Sequence, residues 1–212
     1  MCASHKLLPW KIRSQFCTNN VNPCPGSTEC FNRPLPPNAD PSTLAYVCDC
    51  GPSLTVGDDC RTTPPGFRSD RPQESFITCY GDSCSTGSFQ SLNYPNLYED
   101  RWTAIYLLYI PRASRIDFTF TGDGGFGIET LKDELYVGTG LSFSSADFTG
   151  VDIVDGNRVV RFFDNSTLNG QTYPPPFSFE TDSVWLYFLT DKNVMFNGWQ
   201  LSWTSTGLYY II

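Results

Sequence analysis

Charge is sparse in this sequence, and positive charge sparser still. Asp, Glu, Lys and Arg supply 17% of the 212 residues, and 14 Lys and Arg stand against 22 Asp and Glu, a formal net charge of −8. A chain that grips phosphate backbones carries the opposite excess, which excludes nucleic acid as a partner and, for the same reason, anionic membrane surfaces. Divalent cations are compatible with that sign. No apolar run approaches the ~20 residues that a membrane-spanning helix needs. The one histidine is His5, in the N-terminal tail, so a Ser or Cys nucleophile in the folded part has no imidazole base. Turns and net charge account for the surplus acids better than a glycosidase pair does, and the chain is expected not to be an enzyme. The stretch TGDGGFG at 121–127 lacks the Lys-Ser/Thr and the helix of a phosphate-cradling loop, and reads as a flexible turn. No window shows helical periodicity.

Aromatics, in contrast, make up 15% of the chain, beside 17 Gly, 16 Pro and 9 Cys. That is ample apolar surface for a core, which argues against disorder, and it is punctuated in the manner of a β-rich, turn-rich fold. Six of the cysteines, Cys17, Cys24, Cys30, Cys48, Cys50 and Cys60, fall among polar loops such as NPCPGSTEC and FNRPLPPNADPST. So short a segment with so few core residues needs cross-links to fold. A zinc site needs clustered pairs with nearby histidine, and only the Cys48-x-Cys50 pair comes near that pattern; disulfides are expected, with the pairing left open by spacing alone. Disulfides place the chain outside the cell. The N-terminus, MCASHKLLPWKIRSQ, lacks the apolar stretch and cleavage site of a signal peptide. With the apolar ending LYYII, this leads to the expectation of a segment from a larger secreted or cell-surface protein.

The order of these six cysteines, closing with C-x-C and a longer loop, resembles an EGF-like module over residues 15–61. The resemblance implies the pairs Cys17–Cys30, Cys24–Cys48 and Cys50–Cys60, and places Asn32 and Tyr46 where such modules carry a hydroxylated residue and a packing aromatic. Calcium-binding members have an acidic pair before the first cysteine. Here that stretch is KIRSQF, so this module is expected not to bind calcium and to serve spacing and contact. A tail at 1–14 precedes it. A linker at 62–78 follows, Pro-rich and polar over its first part (TTPPGFRSDRPQES), and reads as a semi-rigid connector.

Beyond the linker lie candidate strands at 104–110, 115–120, 134–138, 157–163, 183–189 and 198–204. Ile116, Phe118 and Phe120 alternate with Asp117 and Thr119; Trp199, Leu201 and Trp203 alternate with Gln200, Ser202 and Thr204. Period two with a polar reverse side marks half-buried antiparallel strands, and two packed sheets are the natural architecture. The ordered pieces GSFQSLNYPNLY after Cys84, YLLYIP, IDFTF, FGIE, DELYV, YFLTD and NGWQLSW resemble a CUB domain over most of 79–206. The fold expected is therefore all-β: a disulfide-stapled EGF-like module, then a CUB-like antiparallel β-sandwich of jelly-roll type, with a C-terminal extension at 207–212.

CUB domains usually hold two disulfides, and this chain departs from that. Cys84 matches the first cysteine, but Ala104 stands at its partner's place and the second pair is absent. Cys84 is expected to pair with Cys79, leaving Cys2 to a partner outside the chain or to an unpaired tail. In one branch of the family calcium sits among the Glu of the bend, the Asp before the D-x-L-x-V strand and the Asp after the F-x-(S/T)-D strand. The resemblance carries these roles to Glu129, Asp133 and Asp191. Against it stand a Glu-to-Asp spacing shorter than the family's and Lys192, which could neutralise the acids; solvated carboxylates at strand ends are the other reading. Ca²⁺ is the one cofactor expected.

Asn165-Ser166-Thr167 is the one N-x-S/T sequon and a candidate glycan site at Asn165. The run Pro174–Pro176 reads as an exposed extended segment or loop. Two strands are apolar on both faces. With Tyr106, Leu108, Ile110, Val184, Leu186 and Phe188 turned inward, Leu107, Tyr109, Trp185 and Tyr187 face outward and form a candidate interaction face, unless loops or the N-terminal module cover them. The function expected is non-catalytic contact with other extracellular proteins or copies of the same chain; the alternative is carbohydrate binding through that aromatic face.

Overall fold

A computed structural model of the chain describes residues 16–17, 22–35, 41–67, 71–144, 159–162 and 173–207. Cys2, His5 and Asn165, the tail at 1–14 and residues 208–212 lie outside the described residues. Among these residues no helix is long and apolar enough to cross a membrane.

The N-terminal unit holds two three-residue strands, β1 (Cys30–Asn32) and β2 (Tyr46–Cys48), paired antiparallel with Cys30 opposite Cys48. Disulfides join Cys17 to Cys30, Cys24 to Cys48 and Cys50 to Cys60. Apart from these cysteines, Val47 and Val56 are the only side chains buried fully among the described residues of the unit, so covalent links stand in for a core that its loops are too polar to build.

The remainder is a sandwich of β3 (Phe76–Tyr80), β4 (Thr86–Gln90), β5 (Thr103–Tyr109), β6 (Arg115–Thr121), β7 (Glu134–Thr139), β8 (Val159–Phe162), β9 (Phe177–Phe179), β10 (Ser183–Leu189) and β11 (Gln200–Thr206). One sheet runs β3-β5-β10-β7-β8 and the other β4-β11-β6-β9. Every pairing is antiparallel except β3 with β5. The strand β3 begins within the stretch expected as linker, so the chain enters the sheet at Phe76. The Cys79–Cys84 disulfide then spans a single 3₁₀ turn and ties β3, an edge of the first sheet, to the start of β4, an edge of the second.

Between the sheets Phe89, Tyr106, Leu108, Phe118, Phe120, Leu186, Phe188, Trp199, Leu201 and Trp203 form one buried cluster. Each such side chain stabilises the fold by about 1.5–3 kcal/mol when fully buried. The alternation in β6 and β11 produces this: their odd or even set enters the core and the other set meets water. The strand read at 198–204 begins two residues later, because Gly198 takes φ +76° and bridges to Gly127 before the ladder starts. Gly127 belongs to the 121–127 turn, which is pinned and not flexible: the Tyr94 hydroxyl accepts from Gly124 N–H at 3.0 Å and lies 3.2 Å from the carbonyls of Thr121 and Gly125.

The first sheet is buried on both faces, which corrects the expected interaction face. Leu107, Tyr109, Trp185 and Tyr187 are each 5% exposed or less and belong to a second cluster with Cys24, Val47, Cys48, Cys50, Val56 and Cys60 of the N-terminal unit. Phe31 lies against Tyr80 and Tyr109, while Phe143 covers Trp185 at 4.7 Å between ring centroids. The Tyr187 hydroxyl reaches Pro65 O at 3.3 Å. Apolar residues at every position of β5 after Thr103 and of β10 after Ser183 are what a sheet covered on both sides requires, and the cover comes from the chain itself. Gly138 on β7 completes that packing: a Cβ there would sit 2.3 Å from the Trp185 indole.

Polar contacts fix the same junction. Arg33, just after β1, places Nη1 2.5 Å from Asp58 Oδ2. Its Nε lies 3.0 Å from Asp182 Oδ2, in ionic range without the alignment of a hydrogen bond. The guanidinium also lies 5.2 Å from the centre of the Tyr109 ring. Burial alone would disfavour its charge, and the two carboxylates outweigh that, so its pKa is held above the ordinary value. Gly57 N–H donates to Leu141 O at 2.5 Å across the junction.

Candidate metal centre

The three acids read from the sequence converge at one end of the sandwich. Strands β7 and β10 are neighbours with Leu189 opposite Glu134. Asp133, one residue before β7, and Asp191, two residues after β10, therefore leave the sheet side by side. Glu129 joins them from a turn in which its carbonyl accepts the N–H of Asp133 at 3.1 Å and of Lys132 at 3.3 Å. One carboxylate oxygen from each of the three lies within 4.8 Å of the others.

Asp133 is the anchor, 1% exposed. Its Oδ1 accepts the Asp191 backbone N–H at 2.8 Å, and its Oδ2 accepts the Tyr98 hydroxyl. Tyr98 in turn accepts the Glu129 N–H at 3.1 Å, so a single phenol positions two of the three acids. Asp191 Oδ1 accepts Asn193 N–H at 2.8 Å, which holds its side chain in place. Burial pushes the Asp133 carboxyl above its ordinary pKa, and the neighbouring Asp191 charge adds to this, while the bonds from Tyr98 and Asp191 N–H oppose it. Burial, with the hydrogen bond to Asp133, also raises the Tyr98 phenol, which stays protonated as the donor.

Glu129 Oε2 is buried and has no hydrogen-bond partner among the described residues. A buried carboxylate oxygen left without a donor costs free energy unless something positive meets it. Lys192 does not: it is exposed and makes no ion pair with these acids among the described contacts. Hard oxygen donors held at this separation by preset hydrogen bonds are the chemistry that divalent cations of the Ca²⁺ type take. Glu134, the next acid in the chain, turns away and accepts from Arg161 and from the Tyr136 hydroxyl.

Sequence reasoning assigned no role to Tyr98 or Arg33. Tyr98 carried a usable signal, since it stands in NYPNLYED beside the acids of a loop. Arg33 carried none, because its partners lie 25 and 149 residues away.

The sequence of residues 79–203 matches the model of the CUB domain family. Over 188 residues the chain is 34% identical to fibropellin-3 of Strongylocentrotus purpuratus, covering 88% of this chain and 27% of that protein. Over 164 residues it is 29% identical to fibropellin-1 of the same organism, covering 77% and 13%. The chain thus spans under a third of either relative. Among solved structures, the CUB1-EGF-CUB2 domains of human MASP-1/3 align over 86% of this chain and 55% of that one, at 20% identity and a TM-score of 0.44. With more than half of its residues matched in one continuous span, on a two-sheet β-sandwich, the chain belongs to the CUB domain family.

Proposed function

We propose that the chain is a non-catalytic contact module of an extracellular assembly, in which Ca²⁺ held by Glu129, Asp133 and Asp191 organises the loops at one end of the sandwich. The observation that carries this reading is the convergence of three carboxylates around an oxygen of Glu129 that no donor serves. Three anionic groups at that distance repel one another, and a divalent cation removes the repulsion. Ca²⁺ accepts 6–8 oxygens, so backbone carbonyls and water complete the shell. The ligating loops also carry the exposed side chains Leu131, Val194 and Met195, and Leu97 is exposed beside Tyr98. An ion that fixes those loops presents the apolar groups as one contact surface, replacing the buried face that the sequence suggested.

Four disulfides among the described residues support an oxidising, extracellular setting. The pairing in the first unit supports its reading as an EGF-like module, and its seat on the sandwich supports a role in spacing. Sugar binding through Trp185 and Tyr187 loses its site, since both rings are covered.

Calorimetric titration of the chain with calcium tests the proposal. Binding in the micromolar-to-millimolar range of extracellular calcium modules, abolished in Asp191→Ala while near-ultraviolet circular dichroism is retained, is the expected result. Absence of binding heat at millimolar calcium, or equal binding by the variant, refutes it.

A further inference from the structure

Among the described residues no strand pairs with the outer side of β4, and two contacts identify which groups lie there. Ser91, the residue after β4, donates its N–H to Trp199 O at 2.9 Å, in step with the register that sets Gln90 opposite Gln200. Phe89 and Gly87 therefore bond to β11. The Gln90 carbonyl instead accepts the Tyr106 hydroxyl at 2.9 Å, so it points off the ladder. Thr86 and Ser88 share the parity of Gln90, and none of the described hydrogen bonds reaches their outward N–H and C=O groups. Both residues are exposed.

Edge strands that stay single are guarded by lysine, proline, a bulge or an inward charge. The run CSTGSFQSL at 84–92 has no charged residue and no proline, and the ladder from Thr86 to Gln90 is unbroken. The adjacent strand, QLSWTST, is also uncharged. On a chain of net charge −8 this makes a neutral two-strand strip.

We propose that β4 is an assembly edge that pairs with β4 of a second copy, antiparallel about a two-fold axis through Gly87. Thr86 of each copy then faces Ser88 of the other. The open N–H and C=O groups of these residues satisfy one another in four hydrogen bonds, and the two Gly87 residues meet at the axis in the closer, non-bonded position. A second copy fits because the donor and acceptor pattern is self-complementary under two-fold rotation. It fits too because no like charges meet there, whereas charged surfaces elsewhere on the chain repel their own kind. Three residues per strand fall far below the ~1,200 Å² of a stable interface, so the dimer is weak, with a dissociation constant on the order of 10 µM to 1 mM. The proposal refines the assembly reading but uses none of the acidic cluster.

Sedimentation equilibrium of the full chain with calcium chelated, from about 10 µM to 1 mM, tests it. The wild type is compared with Ser88→Pro, Ser88→Lys and Asp191→Ala. Proline removes an outward N–H without touching the bonds to β11, and lysine installs the missing guard; if the proline variant fails to fold, the lysine variant decides. Concentration-dependent dimerisation, weakened tenfold or more by the Ser88 variants and unchanged in Asp191→Ala, is expected, with slower amide exchange at Thr86 and Ser88 as concentration rises. A monomer throughout overturns the proposal. So does a dimer that the Ser88 variants leave intact, and one lost only in Asp191→Ala overturns this edge while the assembly reading survives.

Discussion

Replacing Arg33 by alanine removes a buried cation that pairs with a carboxylate of each unit. Its side chain is 8% exposed, and its two carboxylate partners, Asp58 and Asp182, are 27% and 25% exposed. Deleting one member of a buried ion pair costs about 3–5 kcal/mol, because the partner keeps its desolvation penalty. Here the partners are each about a quarter exposed and water recovers part of that loss, while the contact over Tyr109 adds about 1 kcal/mol. The expected cost is therefore about 2–4 kcal/mol, against about 0–1 kcal/mol for an exposed pair. Urea denaturation of the oxidised chain measures it, with Arg33→Met as the companion variant, since methionine keeps the apolar stem and drops the charge. Asp58→Asn and Asp182→Asn, singly and with Arg33→Ala, complete the cycles. Both arginine variants should lose most of the stated stability and should bring earlier cleavage near residues 61–67 in limited proteolysis. A loss below about 1 kcal/mol would refute the claim that Arg33 acts as a buried clamp.

Tyr98→Phe removes the hydroxyl that orients Asp133 and Glu129 and should weaken calcium binding by roughly tenfold in calorimetry, with little change in near-ultraviolet signal. Gly138→Ala drives a methyl into the Trp185 indole and should destabilise by about 1–3 kcal/mol, read by denaturant midpoint and by a shift in tryptophan emission. The pH dependence has a definite sign. Because the folded Asp133 pKa is raised, its native state binds more protons than the unfolded chain between the ordinary carboxylate pKa and the raised one. Its contribution to the ion-free chain is thus most favourable at acid pH and is lost as pH rises through that window. Calcium binding should run the other way, strengthening with pH and releasing protons, which calorimetry in buffers of different ionisation enthalpy detects.

Strict alternation is local information, and β6 falls within a residue of where Ile116, Phe118 and Phe120 place it; the apolar run of β10 is local too and lies at Ser183–Leu189, as read. The acids were legible only through the resemblance to a CUB domain, which carries a ligand role to Glu129, Asp133 and Asp191; the structure brings their carboxylates within 4.8 Å of one another. What covers a strand's second face is not local information. Leu107 and Trp185 look exposed to anyone reading β5 and β10 alone, and only the arrival of Phe31, Phe143 and a disulfide unit from distant sequence changes that. Phe76–Tyr80 was hidden for a different reason. Its neighbours are Pro-rich and polar, so composition pointed to a connector, while its partner β5 is reached in a parallel pairing that leaves no hairpin signature.

The sheet β3-β5-β10-β7-β8 is a wall shared by two interiors, only one of which the sandwich can fill by itself. Cutting the chain where its composition suggests a seam would strip that wall, leaving Tyr109, Trp185 and Tyr187 as an adhesive surface on one fragment and a nearly coreless knot on the other. Engineers who graft this sandwich into another host therefore need to carry the first unit with it.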